Sequence, residues 1–362
     1  MTVSTAVAKQ ALDSLIKKSR AHLYKPMQIA EILYMYRTQG GFDISDVSQY
    51  RKESKNWRDV VTKQLVGNVS TSSAKFQDNL FEDNAIPPKI LVALASENQR
   101  TNGAVEAYIY SSFVHKMSQF AIGIEYCEQN NKDVFDLSKF IDLFWQVAGL
   151  KRSVDKIYEV IVYSLFQSII EALGVQVTVS FDPDKVEILE EFEDFAKSVI
   201  NINITNNIFE LEGRINRAGV TNASDRGLDI WSNFGVIVQI KHLSLTEEMA
   251  EGIVGSVNAD RIVIVCKSAE KTLIVSLLNQ IGWKSKIQSV ITEKELKQWY
   301  EKALRGKYAD IIGDNLLAYL RSEIQKEFPS TASGVVDDFV KSRCYQDVAP
   351  DTLWLPTNPF SP

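Results

Sequence analysis

The stretch 227–244 reads GLDIWSNFGVIVQIKHLS, and its apolar runs indicate the two strands of a β-hairpin. The tripeptide NFG (233–235) separates the runs and ends in a glycine, as hairpin loops often do. A strand that only had to be buried would not need Asp229, Gln239 or Lys241. The stretch therefore predicts a sheet together with a polar site on it.

The length of the turn decides whether these polar side chains meet. Side chains alternate along a strand, so Gln239 and Lys241 share one face. With a three-residue loop, in which Gly235 takes a left-handed conformation, Asp229 lies opposite Gln239 with Cβ atoms roughly 5 Å apart. A two-residue loop would instead put Asp229 opposite Val238 and separate the polar groups. The three-residue register is the one that we predict.

An acid on one strand and Gln-x-Lys on the next suit metal-assisted hydrolysis of a phosphodiester. Magnesium prefers oxygen ligands, and the Asp229 carboxylate, the Gln239 amide and the Ile240 carbonyl offer them. Lys241 can hold or polarise the attacking water beside the phosphate. The alternative is a chance triplet in which Lys241 extends its stem from a sheet edge. The pattern of Asp229, Gln239 and Lys241 falls on a hairpin between other core elements, and this position favours a catalytic role over chance.

Composition places the chain among ordinary globular proteins. Its 362 residues are 45% hydrophobic, enough for a large core and two domains. No run is long and apolar enough to span a bilayer, and the N-terminus lacks the features of a signal peptide. Cys127, Cys266 and Cys344 are far apart and predict reduced thiols in a cytosolic protein. The net charge of −6 argues against indiscriminate coating of nucleic acid but leaves room for a local basic cleft.

The pattern changes near residue 151. Residues 1–150 are mostly amphipathic helix. Residues 151–310 begin with a helix ending at Gly174 and continue with strand VQVTVSF (175–181), an acidic helix, the hairpin, strand RIVIVC and strand KIQSVIT, with helices between. This order predicts an α/β (α+β) core with a mixed central sheet, whose first three strands are VQVTVSF and the hairpin. Residues 311–362 are expected to be a C-terminal helix and a loosely packed tail.

The hairpin resembles the PD-(D/E)xK nuclease superfamily in its D…QxK form. Gln239 stands where an acid usually precedes x-Lys, and Leu228 stands where proline usually precedes the acid. A closer resemblance covers nearly the whole chain. The segments KSRAHLYKPMQIAEILY, STSSAKFQDNLFEDNAIPP, GLKRSVDKIYEV, RGLDIWSNFGVIVQIKHLSLTEE and LLNQIGWKSKIQS are similar to HaeII-type restriction endonucleases.

The resemblance implies a type II enzyme that uses Mg²⁺, with Mn²⁺ as a substitute, to cut double-stranded DNA at a short palindrome. In such an enzyme residues 1–150 are expected to help grip the DNA. For the HaeII type that site is RGCGCY. It also implies action in a prokaryotic cytosol, a cognate methyltransferase acting on the same site, and a homodimer with one active site per strand. The alternatives are another nuclease of this superfamily, acting in repair or on methylated DNA, and a catalytically silent DNA-binding module.

Further residues are weaker candidates. Glu159 lies on the helix before the first strand, where related nucleases often carry an auxiliary acid, although a solvated helix face explains it too. Asp225 is better explained by loop shape than by metal binding. Arg226 is close enough in sequence to contact a phosphate. His242 is expected on the face opposite Lys241, in a supporting role. Possible phosphate contacts are STSSAK (70–75), KKSR (17–20), LKR (150–152) and KALRGK (302–307).

Overall fold

The structure, a computed structural model, divides the chain into two compact units. It describes residues 3–19, 22–70, 77, 79–146, 154–218, 228–256, 259–279, 286–328, 334–348 and 353–354. The first unit contains the described residues up to Val160 and those from Leu320 onward, and the second contains the described residues between them.

Six helices precede residue 150 in the described part of the first unit. Helix α2 is its centre, because it packs against α1, α3, α4 and α5 and is buried over most of its length. Helix α4 begins at the double proline, where Pro88 occupies the first turn and needs no amide partner. The helices are α1 (Thr5–Lys18), α2 (Tyr24–Thr38), α3 (Arg51–Val66), α4 (Pro88–Arg100), α5 (Ala104–Gln129) and α6 (Leu137–Gln146).

Helix α7 (Val154–Ala172) is the long buried helix that the sequence predicts. Gly174 follows it with a φ of 58°, a left-handed conformation that ends a helix at low cost for glycine. The division between the two units falls within α7, after Val160.

A small two-stranded sheet follows α7. Strand β1 (Gln176–Ser180) pairs antiparallel with β2 (Ile208–Glu212), and between them lie α8 (Val186–Glu191), α9 (Glu193–Phe195) and a π-helical turn (Ala196–Ile200). The expectation that VQVTVSF joins the central sheet is wrong, since β1 belongs to this separate sheet. The physical reason is its pattern: one face carries only exposed polar side chains, so β1 has a single apolar face to cover.

The central sheet is mixed, as predicted. Its order is β3-β4-β5-β6-β7, antiparallel as far as β5 and parallel from β5 to β7. Strand β3, which the sequence analysis did not predict, takes the place expected for VQVTVSF. The strands are β3 (Ile215–Arg217), β4 (Ile230–Ser232), β5 (Val236–Ser244), β6 (Arg261–Ser268) and β7 (Ile287–Thr292).

Three helices connect the parallel strands and follow them: α10 (Glu247–Ser256), α11 (Lys271–Asn279) and α12 (Glu293–Arg305). One face of β6 forms an apolar cluster with α10 and α11. Helix α12 starts with a capping box between Thr292 and Glu295, and its Tyr300 hydroxyl donates to the Ile161 carbonyl of α7 at 2.8 Å. The fold positions β5 as the middle strand, covered by helices.

The C-terminal segment contributes side chains to the first unit. Helix α13 (Ala309–Glu327) is followed by α14 (Val335–Ser342). Arg343 donates to Glu31 at 3.0 Å, and the Trp354 indole donates to Glu97 at 3.2 Å. Trp354 is buried there. The boundaries and roles given to 1–150, 151–310 and 311–362 stay predictions.

No helix in the described ranges is both long and apolar enough to cross a membrane.

Candidate active site on the central hairpin

The β4–β5 hairpin has the register predicted from its turn. Ile230 pairs with Val238 and Trp231 with Ile237, so one further step places Asp229 opposite Gln239. The loop has three residues and ends at Gly235, whose φ is 83°. The Ser232 hydroxyl closes the turn, accepting from the Val236 amide at 2.8 Å and donating to its carbonyl at 2.9 Å. The three-residue loop is confirmed.

Asp229 is anchored to the backbone of the facing strand. Its Oδ2 accepts a hydrogen bond from the Ile240 amide at 2.7 Å. Its own carbonyl accepts from the Ala218 amide at 2.8 Å, which ties it to the β3 side as well. A carboxylate has about four acceptor positions, so one such bond is compatible with metal coordination. These bonds hold Asp229 in one place at the start of β4.

The Ile240 carbonyl lies on the same side of β5 as this carboxylate. In a strand the amide and carbonyl of one residue point to the same side, which is why an opposite residue can exchange both bonds. The Ile240 amide points to Asp229, so its carbonyl also points away from β6. The sequence analysis proposed the Ile240 carbonyl as a ligand but missed the Ile240 amide that anchors Asp229. Every residue except proline has such an amide, so the residue type does not reveal it.

Gln239 is a buried amide with an apolar neighbour on β6. It is 3% exposed and lies beside Ile264 of β6 in a parallel register, so the two side chains share a face. Ile264 belongs to the apolar cluster formed with Ala250 and Ile253 of α10. Gln239 is therefore shielded from bulk water on the face that Asp229 also occupies.

Lys241 lies on the same face as Gln239, two residues further along β5. It is half-buried and its register partner is Cys266. Strand β5 is the third of the five strands, but its pairing with β4 ends at Val238, so in the described residues Lys241 is paired with β6 alone. The alternative in which Lys241 extends from an open edge therefore stays a prediction beside the catalytic one.

His242 is buried on the opposite face, as alternation predicts. Its Nε2 lies 3.5 Å from the Glu293 carboxylate at the start of α12. The close approach of His242, together with Lys297, lowers the pKa of Glu293 to about 2. Lys297 reaches the same carboxylate at 2.7 Å. Through Glu293, His242 links β5 to α12 on the face of the sheet opposite Lys241.

Glu159 is buried on α7 and bound to a neighbouring lysine. Both of its oxygens accept from the Lys156 ammonium, at 2.7 and 2.9 Å. Glu159 belongs to the first unit, whereas Asp229, Gln239 and Lys241 belong to the second. Its part in the site stays a prediction.

The other candidates fall into two groups. Asp225, Arg226, the segment 71–75 and the segment 150–152 lie outside the described residues. In KALRGK, Arg305 forms an ion pair with Glu301, and Lys307 lies over the Tyr308 ring. Among the described residues, no group of three or more His, Cys, Asp or Glu is placed to hold a metal ion.

Comparison with known proteins gives a consistent result. The family model for HaeII restriction endonuclease matches residues 8–345. The chain is 55% identical to the type II restriction enzyme HaeII of Haemophilus aegyptius over 94% of this chain and 96% of that protein. It is 51% identical to the type II restriction enzyme NgoBI of Neisseria gonorrhoeae over 95% of this chain and 98% of that protein. No solved structure gives a significant match.

Proposed function

The chain belongs to the HaeII restriction endonuclease family, and from this premise we propose how it cuts DNA. It is a sequence-specific restriction endonuclease, that is, a site-specific deoxyribonuclease. Its β4–β5 hairpin carries the active site, with Asp229 and Gln239 as metal ligands and Lys241 beside the scissile phosphate. The single observation behind this assignment is the register that brings Asp229 opposite Gln239.

The oxygen groups on the hairpin fit Mg²⁺. The ion prefers hard oxygen ligands and in nucleic-acid enzymes uses one or two carboxylates, several waters and the substrate phosphate. The Asp229 carboxylate supplies the charge, and the Ile240 carbonyl and Gln239 amide supply neutral oxygens. Bound there, Mg²⁺ or its substitute Mn²⁺ contributes Lewis-acid stabilisation of the charge that develops on the phosphate.

The protein's own groups position the proposed metal ligands, the attacking water and the phosphate. The Ile240 amide fixes one oxygen of Asp229 at 2.7 Å, which directs the carboxylate along the edge of β5. The Lys241 ammonium has three donors, which can hold a water in line with the phosphorus and contact a phosphate oxygen. Burial of Gln239 limits its rotamers and keeps its amide oriented. Glu159 is proposed as an auxiliary acid.

The substrate is double-stranded DNA, and by resemblance to the HaeII type the site is RGCGCY. A cognate methyltransferase would protect host DNA in the same prokaryotic cytosol by modifying this sequence. Cleavage of both strands of a palindrome is most simply done by two identical chains.

The test is a digest of unmodified plasmid DNA with magnesium, followed by sequencing of the ends. We expect discrete fragments whose ends fall at one position within RGCGCY. Discrete fragments with another sequence at the ends would correct the site but keep the enzyme class. A digest that needs methylated DNA would indicate a different nuclease type, and intact plasmid with tight DNA binding would indicate a silent binding module.

The matched comparison is the same digest with Asp229→Asn, which preserves the shape of the side chain. Loss of cleavage in this variant locates the activity on the hairpin. Unchanged cleavage would refute the hairpin as the active site.

A further inference from the structure

Helix α3 presents a polar and basic row of side chains on its outer side. Its inner side faces α2 and α14 and consists of the buried residues Ser54, Arg58, Val61, Thr62, Leu65 and Val66. The exposed residues on the other side include Lys52, Asn56, Val60 and Lys63. Their spacing of four, four and three residues places them in one row along the helix, directed away from the core.

Buried hydrogen bonds to α2 fix the direction of this row. The Gln28 amide donates to the Ser54 hydroxyl at 2.9 Å, and the Arg58 guanidinium donates to the Gln28 amide oxygen at 3.1 Å. All three residues are buried, and Ser54 and Arg58 are one helical turn apart. Rotation of α3 about its axis would break both bonds. A supporting network of this kind holds a recognition surface in one orientation.

The charge of α3 suits a phosphate backbone. The helix contains five basic and two acidic residues, and no other helix in the described part of the chain has a larger basic excess. Arg58 and Asp59 form an ion pair at 2.6 Å, so four basic residues and one acidic residue remain, all exposed or half-buried. By contrast, residues 176–212 contain nine acidic and two basic residues. Of these two parts of the chain, α3 is the one that attracts DNA.

The residue types in the row suit the major groove, which is about 12 Å wide and admits an α-helix. Asparagine offers an amide donor and acceptor to base edges, and valine can contact a thymine methyl. One of the two N–H donors of Asn56 reaches Glu53 at 3.3 Å, and a carboxylate there can accept from a cytosine amino group. Lys52 and Lys63 lie on either side of Asn56 and Val60, about 16 Å apart along the helix axis. The middle of the row therefore suits bases, and its ends suit phosphates.

We propose that α3 lies in the major groove of the recognised DNA, with Asn56 and Val60 against base edges and Lys52 and Lys63 against phosphates. This inference rests on the proposed function, because it names the element that reads the sequence which the hairpin cuts. Asn56 and Val60 determine which sequence is preferred. The two lysines contribute affinity that does not depend on the sequence.

Base reading is tested with Asn56→Ala and Val60→Ala. The control is Asn315→Ala, because Asn315 is exposed on α13, a helix with two basic and four acidic residues. Anisotropy in the presence of a chelator measures binding to a labelled RGCGCY duplex and to duplexes with one base pair changed. Relative cleavage rates of the same duplexes with magnesium give a second measure of preference. We expect the discrimination at one position of the half-site to fall roughly fivefold or more in the α3 variants and to stay at the wild-type value in the control.

Phosphate contact is tested with Lys52→Ala combined with Lys63→Ala. The control is Lys139→Ala, because Lys139 is exposed on α6, a helix with one basic and one acidic residue. Binding to the RGCGCY duplex is measured over a series of salt concentrations. The double variant should bind all duplexes more weakly by a similar factor, and its slope of log affinity against log salt should be smaller by about 2. The control should keep the wild-type slope.

Circular dichroism and thermal unfolding check that every variant is folded, and sedimentation checks its mass. Wild-type base preference in both Asn56→Ala and Val60→Ala would overturn the proposal, whatever the lysine variant does. Wild-type DNA binding together with an altered mass would make this side of α3 a contact between protein chains, and would also overturn it. A wild type that binds the duplex without cutting it would refute the proposed function, and the base preference in the binding series would still decide the role of α3.

Discussion

Asp229 combines a negative charge with a hydrogen-bond acceptor, and substitution can separate the two. Asp229→Ala removes both, whereas Asp229→Asn keeps an oxygen that can accept from the Ile240 amide. Both variants should cut at least about 10²-fold more slowly, because the charge that holds the metal is lost. Binding of the duplex should change little. The measurements are single-turnover cleavage and DNA binding by anisotropy, and the Asn variant should unfold closer to the wild type than the Ala variant.

In the proposed function Lys241 acts on the phosphate and water, not on the bases. Lys241→Ala should therefore lower cleavage by about 10²-fold or more while leaving sequence-specific binding largely intact. Leu243→Ala is the control, since Leu243 lies on the same strand and is exposed. Near wild-type cleavage by Lys241→Ala would remove this lysine from the proposed site.

Gln239 departs from the acid usual at this position, so its substitution tests the metal assignment. Gln239→Glu has nearly the same shape but places a second carboxylate opposite Asp229. Two carboxylates this close repel each other until a cation binds, so the variant should need less Mg²⁺ or Mn²⁺ for half-maximal binding. Gln239→Ala should need more. Identical metal titrations for all three proteins would place Gln239 outside the coordination shell.

The geometry of the candidate site was predictable where side chains and turn chemistry determined it. The NFG loop fixed the register, and the register brought Asp229 to Gln239. The anchoring amide of Ile240 could not be found from residue types, because every strand residue has one. Glu159 stays a prediction: its residue type suggested a role, and the structure shows its ion pair with Lys156 within the first unit.

At the level of elements, the hairpin depends on one glycine. Gly235 has a φ of 83°, and a Cβ there would meet only the Arg261 guanidinium at 3.5 Å, an ordinary contact. Substitution therefore costs backbone strain and not a clash. Gly235→Ala should destabilise the fold by about 1–2 kcal/mol, and Gly235→Asn by less, because asparagine tolerates this conformation. Urea denaturation of both variants checks the order, and a larger cost for Asn would contradict it.

The contact between β5 and α12 should respond to acid. The pKa of Glu293 lies at about 2 in the folded protein against 4.5 ordinarily, so its stabilising effect is complete above pH 4.5 and is lost as pH falls toward 2. Glu293→Gln removes this dependence. Its free energy of unfolding should fall less steeply than that of the wild type below pH 4.5. Parallel pH profiles of the two proteins would contradict the assignment.

The elements that the sequence predicted well were those with a strong local pattern. The apolar run RIVIVC gave β6, and the helix ending at Gly174 gave α7. Strand β1 was predicted as a strand but assigned to the wrong sheet, because its partner β2 is a short segment about thirty residues away. The residue pattern of one strand does not show which distant strand it pairs with.

At the scale of the whole molecule, the uneven charge explains how an acidic chain can bind DNA. Outside residues 176–212 the chain is nearly neutral, with 38 basic and 37 acidic residues. Basic residues need only cluster locally on that remainder to form a DNA surface. The net charge of −6 therefore describes the acidic region between β1 and β2, not the part of the chain that contacts DNA.

This distribution predicts a steep effect of salt on DNA binding. Affinity for the RGCGCY duplex should fall steeply, by on the order of 10³-fold between about 50 and 200 mM salt if some six phosphates are contacted, because bound counterions are released. Anisotropy with a labelled duplex in a salt series measures this effect, and the slope of log affinity against log salt gives the number of phosphates contacted. A slope near zero would mean that the nearly neutral remainder of the chain makes few phosphate contacts, and the explanation of DNA binding by local basic clusters would then be wrong.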